Sequence, residues 1–196
     1  LDQRGAEALL QIRSEIHGSL LHTALKNGAS QVTRWILSEV ECWRNRQTYE
    51  HNLQGELLKR TLSSAVSCRD ADGKSPLAAL CSSTSASVEV TVALLEALAD
   101  PSEHDYAGVT PFLECARVGH VEIGKLLIEA TGQQVLSDRD DTCRTALHWA
   151  ADEGHIGFVE LMLVCGMNAE VSDCEGQTPC DLALRRGHVE IAKLFE

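Results

Sequence analysis

Eight histidines and eight cysteines stand with 29 acidic side chains in a chain of 196 residues, ligands and bases enough for metal binding, proton transfer or nucleophilic attack. Each of those chemistries makes a demand on spacing. No two cysteines have the C-x-x-C separation of a zinc site, and neither H-E-x-x-H nor G-x-S-x-G occurs. Gly73-Lys74-Ser75 has the ending of a phosphate loop, but the glycine such a loop needs five residues earlier is Cys68, and Pro76 follows as a helix start. Asp138, Asp140, Asp141, Asp152 and Glu153 concentrate acid in one stretch. They suit a catalytic or calcium-binding cluster, or a solvated edge of turn and helix, and the second reading weighs more. Cys165, Cys174 and Cys180 lie close together, two of them in apolar positions of the recurring unit, and read as buried thiols rather than ligands.

The histidines are periodic, which argues for a structural role. His22 and His148 occupy one recurring slot, and His120, His155 and His188 another, each after a glycine or in a Leu-His pair. The period itself is visible in longer segments. Asp173 through Ile191 matches Asp140 through Phe158 at a spacing of 33 residues, and Asp105 through Ile123 matches Asp140 onward at 35. A further copy opens at Asp70 with Gly73, Ser75, Pro76 and Leu77, 35 residues before Asp105, and carries extra residues between Cys81 and Ser87. A weaker copy runs from Ser19 through His22 and Gly28 to Val32, Trp35 and Ile36. Repetition at such a spacing indicates an array of small units.

Within each unit the chemistry of the fixed positions predicts two helices. Thr110, Thr145 and Thr178 suit N-caps, and Pro76, Pro111 and Pro179 suit the first helical position, where a missing N–H costs nothing. Gly119, Gly154 and Gly187 suit a left-handed residue that ends the short first helix. A second helix then carries an apolar stripe: Ile123, Leu126 and Leu127; Phe158, Leu161 and Met162; Ile191, Leu194 and Phe195. Neither helix is long enough to persist alone, so stacked units must share a core.

The recurring residues resemble the ankyrin repeat, whose pattern runs Asp-x-x-Gly-x-Thr-Pro-Leu-His, then Ala-Ala-x-x-Gly-His, then an apolar helix. The likeness covers about Ser19 to Glu196 except for one interruption, and Cys143 departs from it by standing at the glycine of its turn. It implies an all-α solenoid of helix-turn-helix units joined by hairpin-like finger loops. The division expected is a capping helix at 1–17, where Leu9, Ile12 and Ile16 share a face, and repeats at 18–40, 70–104, 105–139, 140–172 and 173–196. An insertion at 41–69 carries Trp43 and Tyr49 and lies between the first and second repeats.

Family likeness further implies non-catalytic binding of a partner protein or peptide by finger tips and the exposed ends of first helices. Carried over by position, the tips are Ala71, Asp72, Lys74, Tyr106, Val109, Asp141, Arg144, Glu175 and Gln177. The helix ends are Arg117, Val118, Asp152, Glu153, Arg185 and Arg186, with Trp149 as either a packing residue or an aromatic anchor. Trp43 and Tyr49 are further candidate contacts. No cofactor or metal is expected. The alternative is a regulatory or substrate-positioning part of a larger enzyme, ligase adaptor or channel, since Leu1 and the apolar pattern at Glu196 predict a longer polypeptide.

A net charge of −12, from 17 basic and 29 acidic residues, opposes binding to nucleic acid. With 44% hydrophobic residues the chain can bury a core without disulfides, so the scattered cysteines predict reduced thiols and a cytoplasmic or nuclear compartment. No apolar run approaches the roughly 20 residues of a membrane span.

Overall fold

Hydroxyl residues in extended backbone start the first helix of each unit, as their positions before Pro or Ala predict. In the computed structural model, which describes His22, Leu25 and residues 66–195, Ser75 Oγ accepts the Ala78 N–H. Thr110 and Thr178 hydroxyls likewise accept the N–H groups of Leu113 and Asp181. Pro76, Pro111 and Pro179 then open their helices. The expected capping helix at 1–17, and Trp43 and Tyr49 of the expected insertion, lie outside the described residues.

The chain divides into two units, Leu1–Asp100 and Pro101–Glu196. In the first, α1 (Pro76–Cys81) and α2 (Val88–Glu96) form one pair. The extra residues foreseen after Cys81 are the Ser-rich connection to Ser87, and Ser82 ends α1 in ordinary helical geometry rather than with a left-handed glycine. His22 and Leu25 are helical and 3% exposed.

The second unit holds three pairs: α3 (Pro111–Val118) with α4 (Val121–Thr131), α5 (Ala146–Glu153) with α6 (Ile156–Val164), and α7 (Pro179–Arg186) with α8 (Val189–Ala192). Short 3-10 helices follow α4 at Gly132–Ser137 and α8 at Lys193–Phe195. Among the described residues every regular element is a helix and none is a strand. The period of 35 before Asp140, against 33 after it, has a local cause: α4 has 11 residues where α6 has 9.

Gly119, Gly154 and Gly187 end α3, α5 and α7 at φ of 88°, 86° and 84°. The N–H of the histidine after each returns to a carbonyl five residues back, His120 to Cys115, His155 to Ala150 and His188 to Ala183. Those bonds close the carbonyl end of the helix that would otherwise be left open.

Two sequence expectations change. The buried stripe of the second helices runs i, i+1, i+4, as Ile123, Gly124, Leu127 and Phe158, Val159, Met162, while Leu126 and Leu161 are half-buried. Each second helix packs on its own first helix and, for α4, α6 and α8, on a neighbouring second helix, so the covered face is turned by one residue. Leu194 is 37% exposed because the chain winds as a 3-10 helix from Lys193, which takes it off the buried face. The cysteine reading is also corrected: Cys174 is exposed and Cys165 and Cys180 are only half-buried, since they sit on turns and helix edges.

Apolar packing holds the second unit together at Phe112 and Phe158, both fully buried with ring centroids 5.7 Å apart. Gly124, inside α4, makes this possible: a Cβ there would lie 2.8 Å from the Phe158 ring. A helix-interior glycine costs roughly 1 kcal/mol relative to alanine, and here its bare Cα makes room for an aromatic ring.

Candidate functional site

Four finger turns present the candidate contacts, and one side chain builds each of them. Asp70 Oδ1 accepts the N–H groups of Asp72 and Lys74, and Asp105 Oδ1 those of Ala107 and Val109. Asp140 Oδ1 takes Thr142 and Arg144, and Asp173 Oδ1 takes Glu175 and Gln177. Each aspartate N–H also donates to the carbonyl four residues on, at 2.9 to 3.1 Å. The turn needs a left-handed residue at its fourth position, supplied by Gly73, Gly108 and Gly176 and, in the third finger, by Cys143 at φ 63°. The substitution of glycine by cysteine thus leaves the turn intact.

Histidines fasten first helices to the following finger. His148 Nδ1 accepts the Thr145 N–H at 3.1 Å, so its proton sits on Nε2 and is donated to the Gln177 carbonyl at 3.1 Å. Burial holds its pKa below the usual imidazole value, against the opposing pull of that carbonyl and of Asp173. In the first unit His22 Nε2 donates to the Lys74 carbonyl at 2.8 Å, the same position in its own finger. That pair is 52 residues apart and His148 and Gln177 are 29 apart, so the first unit has 23 residues more between equivalent groups. His155 and His188 donate from Nε2 to the carbonyls of Arg117 and Asp152, at 3.0 and 3.2 Å.

The candidate side chains converge most strongly between α5 and α7. Arg144 lies over the Trp149 ring, 5.3 Å from its centroid, while the indole N–H donates to Asp140 Oδ2 at 3.0 Å. Trp149 is half-buried, and its ring and N–H have partners within the chain, as a packing residue would. Asp152 is 4% exposed and receives Arg186 in a bidentate pair, Nε at 2.8 Å and Nη2 at 2.9 Å. Arg185 and Arg144 approach the same carboxylate at 3.6 and 4.0 Å. The Arg186 hydrogen bond, with three nearby guanidinium charges, holds the Asp152 carboxyl below its usual range despite burial.

Asp140 and Asp173 also belong to this cluster, although position alone assigned them no contact. Burial opposes ionisation of Asp173, yet the N–H groups of Gln177 and Glu175, the adjacent His148 and Arg144 outweigh it and lower its pKa. Arg144 Nε stands 3.5 Å from Asp173 Oδ2, an ionic contact rather than a hydrogen bond. The signal available in the sequence was their place as first residue of each finger.

Elsewhere the candidates are less connected. Tyr106 is 73% exposed at its finger tip, and Asp141, Glu153 and Glu175 are exposed. Val109, Val118 and Gln177 are half-buried, and Gln177 Nε2 donates to Glu175 at 2.7 Å. Ala71 and Asp72 are exposed and Lys74 is half-buried in the first unit. Arg117 pairs along its own helix with the buried Glu114, at 2.6 and 2.8 Å. Among the described residues no three His, Cys, Asp or Glu side chains are grouped to hold a metal ion, and no helix is long and apolar enough to cross a membrane.

A family model for ankyrin repeats in three copies matches residues 133–195. The chain is 38% identical over 92 residues to the Ankyrin repeat and KH domain-containing protein mask of Drosophila melanogaster, covering 46% of this chain and 2% of that protein. To Ankyrin repeat and KH domain-containing protein 1 of Homo sapiens it is 36% identical over 95 residues, covering 46% and 4%. It is also 40% identical over 62 residues to the mitochondrial liver isoform of glutaminase from Rattus norvegicus, covering 31% and 10%. The chain thus spans a tenth or less of the length of these relatives.

Proposed function

We propose that this chain, a member of the ankyrin repeat family, is a non-catalytic module that binds a partner protein or peptide along its finger tips and first-helix ends. The observation that carries the reading is the cluster at Arg144, Trp149, Asp152, Arg185 and Arg186. Its side chains are fixed by one another, so a partner meets a surface already organised and little rotamer freedom is lost on binding. The Arg185 and Arg186 side chains remain 48% and 54% exposed, with donors beyond those given to Asp152. Tyr106 supplies an exposed aromatic of the kind that anchors interfaces. The five-repeat division, with an insertion at 41–69, belongs to this proposal, as does a cytoplasmic or nuclear compartment.

A second reading makes the array a regulatory or positioning part of a larger protein. The small share of its relatives that the chain spans, one of them a glutaminase, favours keeping it. The primary test is affinity capture with the chain carrying Tyr106→Ala and Arg185→Ala together, helicity being checked by circular dichroism. Loss of the proteins captured by the unaltered chain is expected. Undiminished capture with the fold intact removes this edge as the binding surface.

A further inference from the structure

Two cysteines of adjacent finger turns stand side by side, and no other described finger repeats the arrangement. Cys143 occupies the fourth position of its turn, where the other three have glycine, and Cys174 the second position of the next. The positions equivalent to Cys174 are Ala71, Tyr106 and Asp141. The Cys174 N–H donates to the Thr142 carbonyl at 3.0 Å, which joins the two turns directly beside Cys143. The preceding pair of fingers is joined by the same bond, from the Asp141 N–H to the Ala107 carbonyl, and there a Cβ on Gly108, the position of Cys143, would lie 2.7 Å from Oδ1 of Asp141, the position of Cys174, so this register brings the two side chains into the close approach that a disulfide requires. Cys174 is exposed and Cys143 half-buried, so a small oxidant can reach the pair.

Cysteine in the left-handed region is less comfortable than glycine, so this turn keeps a side chain at a conformational cost. We infer that Cys143 and Cys174 form a paired-thiol site that a small-molecule disulfide oxidises to a cross-link between the two finger turns. The first protein thiolate attacks one sulfur of oxidised glutathione, whose S–S bond breaks; one glutathione leaves as thiolate and takes up the proton the protein lost. The second protein thiolate attacks the protein sulfur of the mixed disulfide and expels the other glutathione, which is protonated in turn. The protein loses two electrons and two protons, and the oxidant ends as two thiols.

Cys143, as hydrogen-bond partner and as neighbouring charge, holds the Cys174 thiol above its usual range, with burial, Asp173 and Asp140 adding to the effect. Exchange therefore accelerates as pH rises, because the thiolate is the nucleophile. The cross-link would tie together the two turns that flank Arg144, so its formation does not depend on a partner but would alter the edge a partner meets.

The test is incubation of the whole chain with oxidised glutathione at mildly alkaline pH, alkylation of remaining thiols, and peptide mass spectrometry. The Cys143–Cys174 peptide should be the dominant cross-link, forming faster in the native chain than in denaturant. Cys143→Gly, which restores the residue of the other fingers, and Cys174→Ser should each abolish it and leave a persistent glutathione adduct on the remaining cysteine. Adducts on both cysteines of the unaltered chain without cross-linking, or a cross-link that forms as fast in denaturant, would overturn the inference.

Discussion

Two junctions in the second unit do the same stacking job with different chemistry. Between the α3–α4 and α5–α6 pairs the side chains that meet in the core are apolar: Phe112 meets Phe158 and the bare Cα of Gly124 receives the ring. Between α5–α6 and α7–α8 it is ionic: Asp152 takes Arg186 from 34 residues away, and Arg144 reaches Asp173. The carboxylate that α3 buries, Glu114, pairs with Arg117 three residues on in its own helix. A buried acid neutralised locally supports one helix. One neutralised by the next pair fixes how two pairs sit together, and exposes that junction to solution conditions.

The largest expected effect comes from breaking the apolar junction. Phe158→Ala should destabilise the chain by about 4 kcal/mol, the transfer and cavity cost of an aromatic core residue, read from the midpoint of urea denaturation. Equal stability of the two proteins would show that the ring pair carries little of the junction.

Next is the ionic junction, where Asp152→Ala removes the anion facing three guanidinium groups and should cost about 2 kcal/mol. Because the Asp152 pKa is lowered in the fold, its contribution is present above the unfolded carboxylate value of about 3.9. It is lost as pH falls through the lower folded value. The variant should therefore lose less stability than the parent when acidified through that window, and parallel acid denaturation curves would contradict the assignment.

A smaller effect should arise at His148, which bridges both parts of the ionic junction's finger. Its folded pKa is depressed by burial, so the neutral ring stabilises the fold above the unfolded value of about 6.5. That stability declines as pH drops below it toward the folded value. His148→Gln should flatten the dependence of the urea midpoint between mildly alkaline and mildly acid pH; an unchanged slope would place the titrating group elsewhere. Smallest of all, Glu122→Ala and Glu190→Ala disrupt exposed pairs with Lys125 and Lys193. Neither should move the melting temperature measurably, since exposed ion pairs contribute little.

Bonds closed within a few residues are legible in the sequence, and contacts made between pairs are not. Thr110, Pro111 and Gly119 declare a helix's start and stop through bonds made within a few residues, and the structure uses each as its chemistry suggests. The finger at Asp140 is legible too, except that Cys143 adopts the glycine's conformation where its residue type argues against it. Asp152 reads in sequence as a charge on a helix end, and its burial depends on Arg186 from another pair. Trp149 is held in the same way by Arg144 and Asp140, whose convergence no spacing rule specifies. Leu194 fits an α-helical stripe and leaves it because the winding tightens at Lys193.

The bidentate pair of Arg186 on Asp152 has a mechanical meaning as well. Tension that pulls α7–α8 away from α5–α6 must break two short parallel charged bonds at once, with the carboxylate they share buried. The two junctions would then yield in different ways, the ionic one abruptly once its short directional bonds part and the apolar one gradually as the rings at Phe112 and Phe158 slide apart.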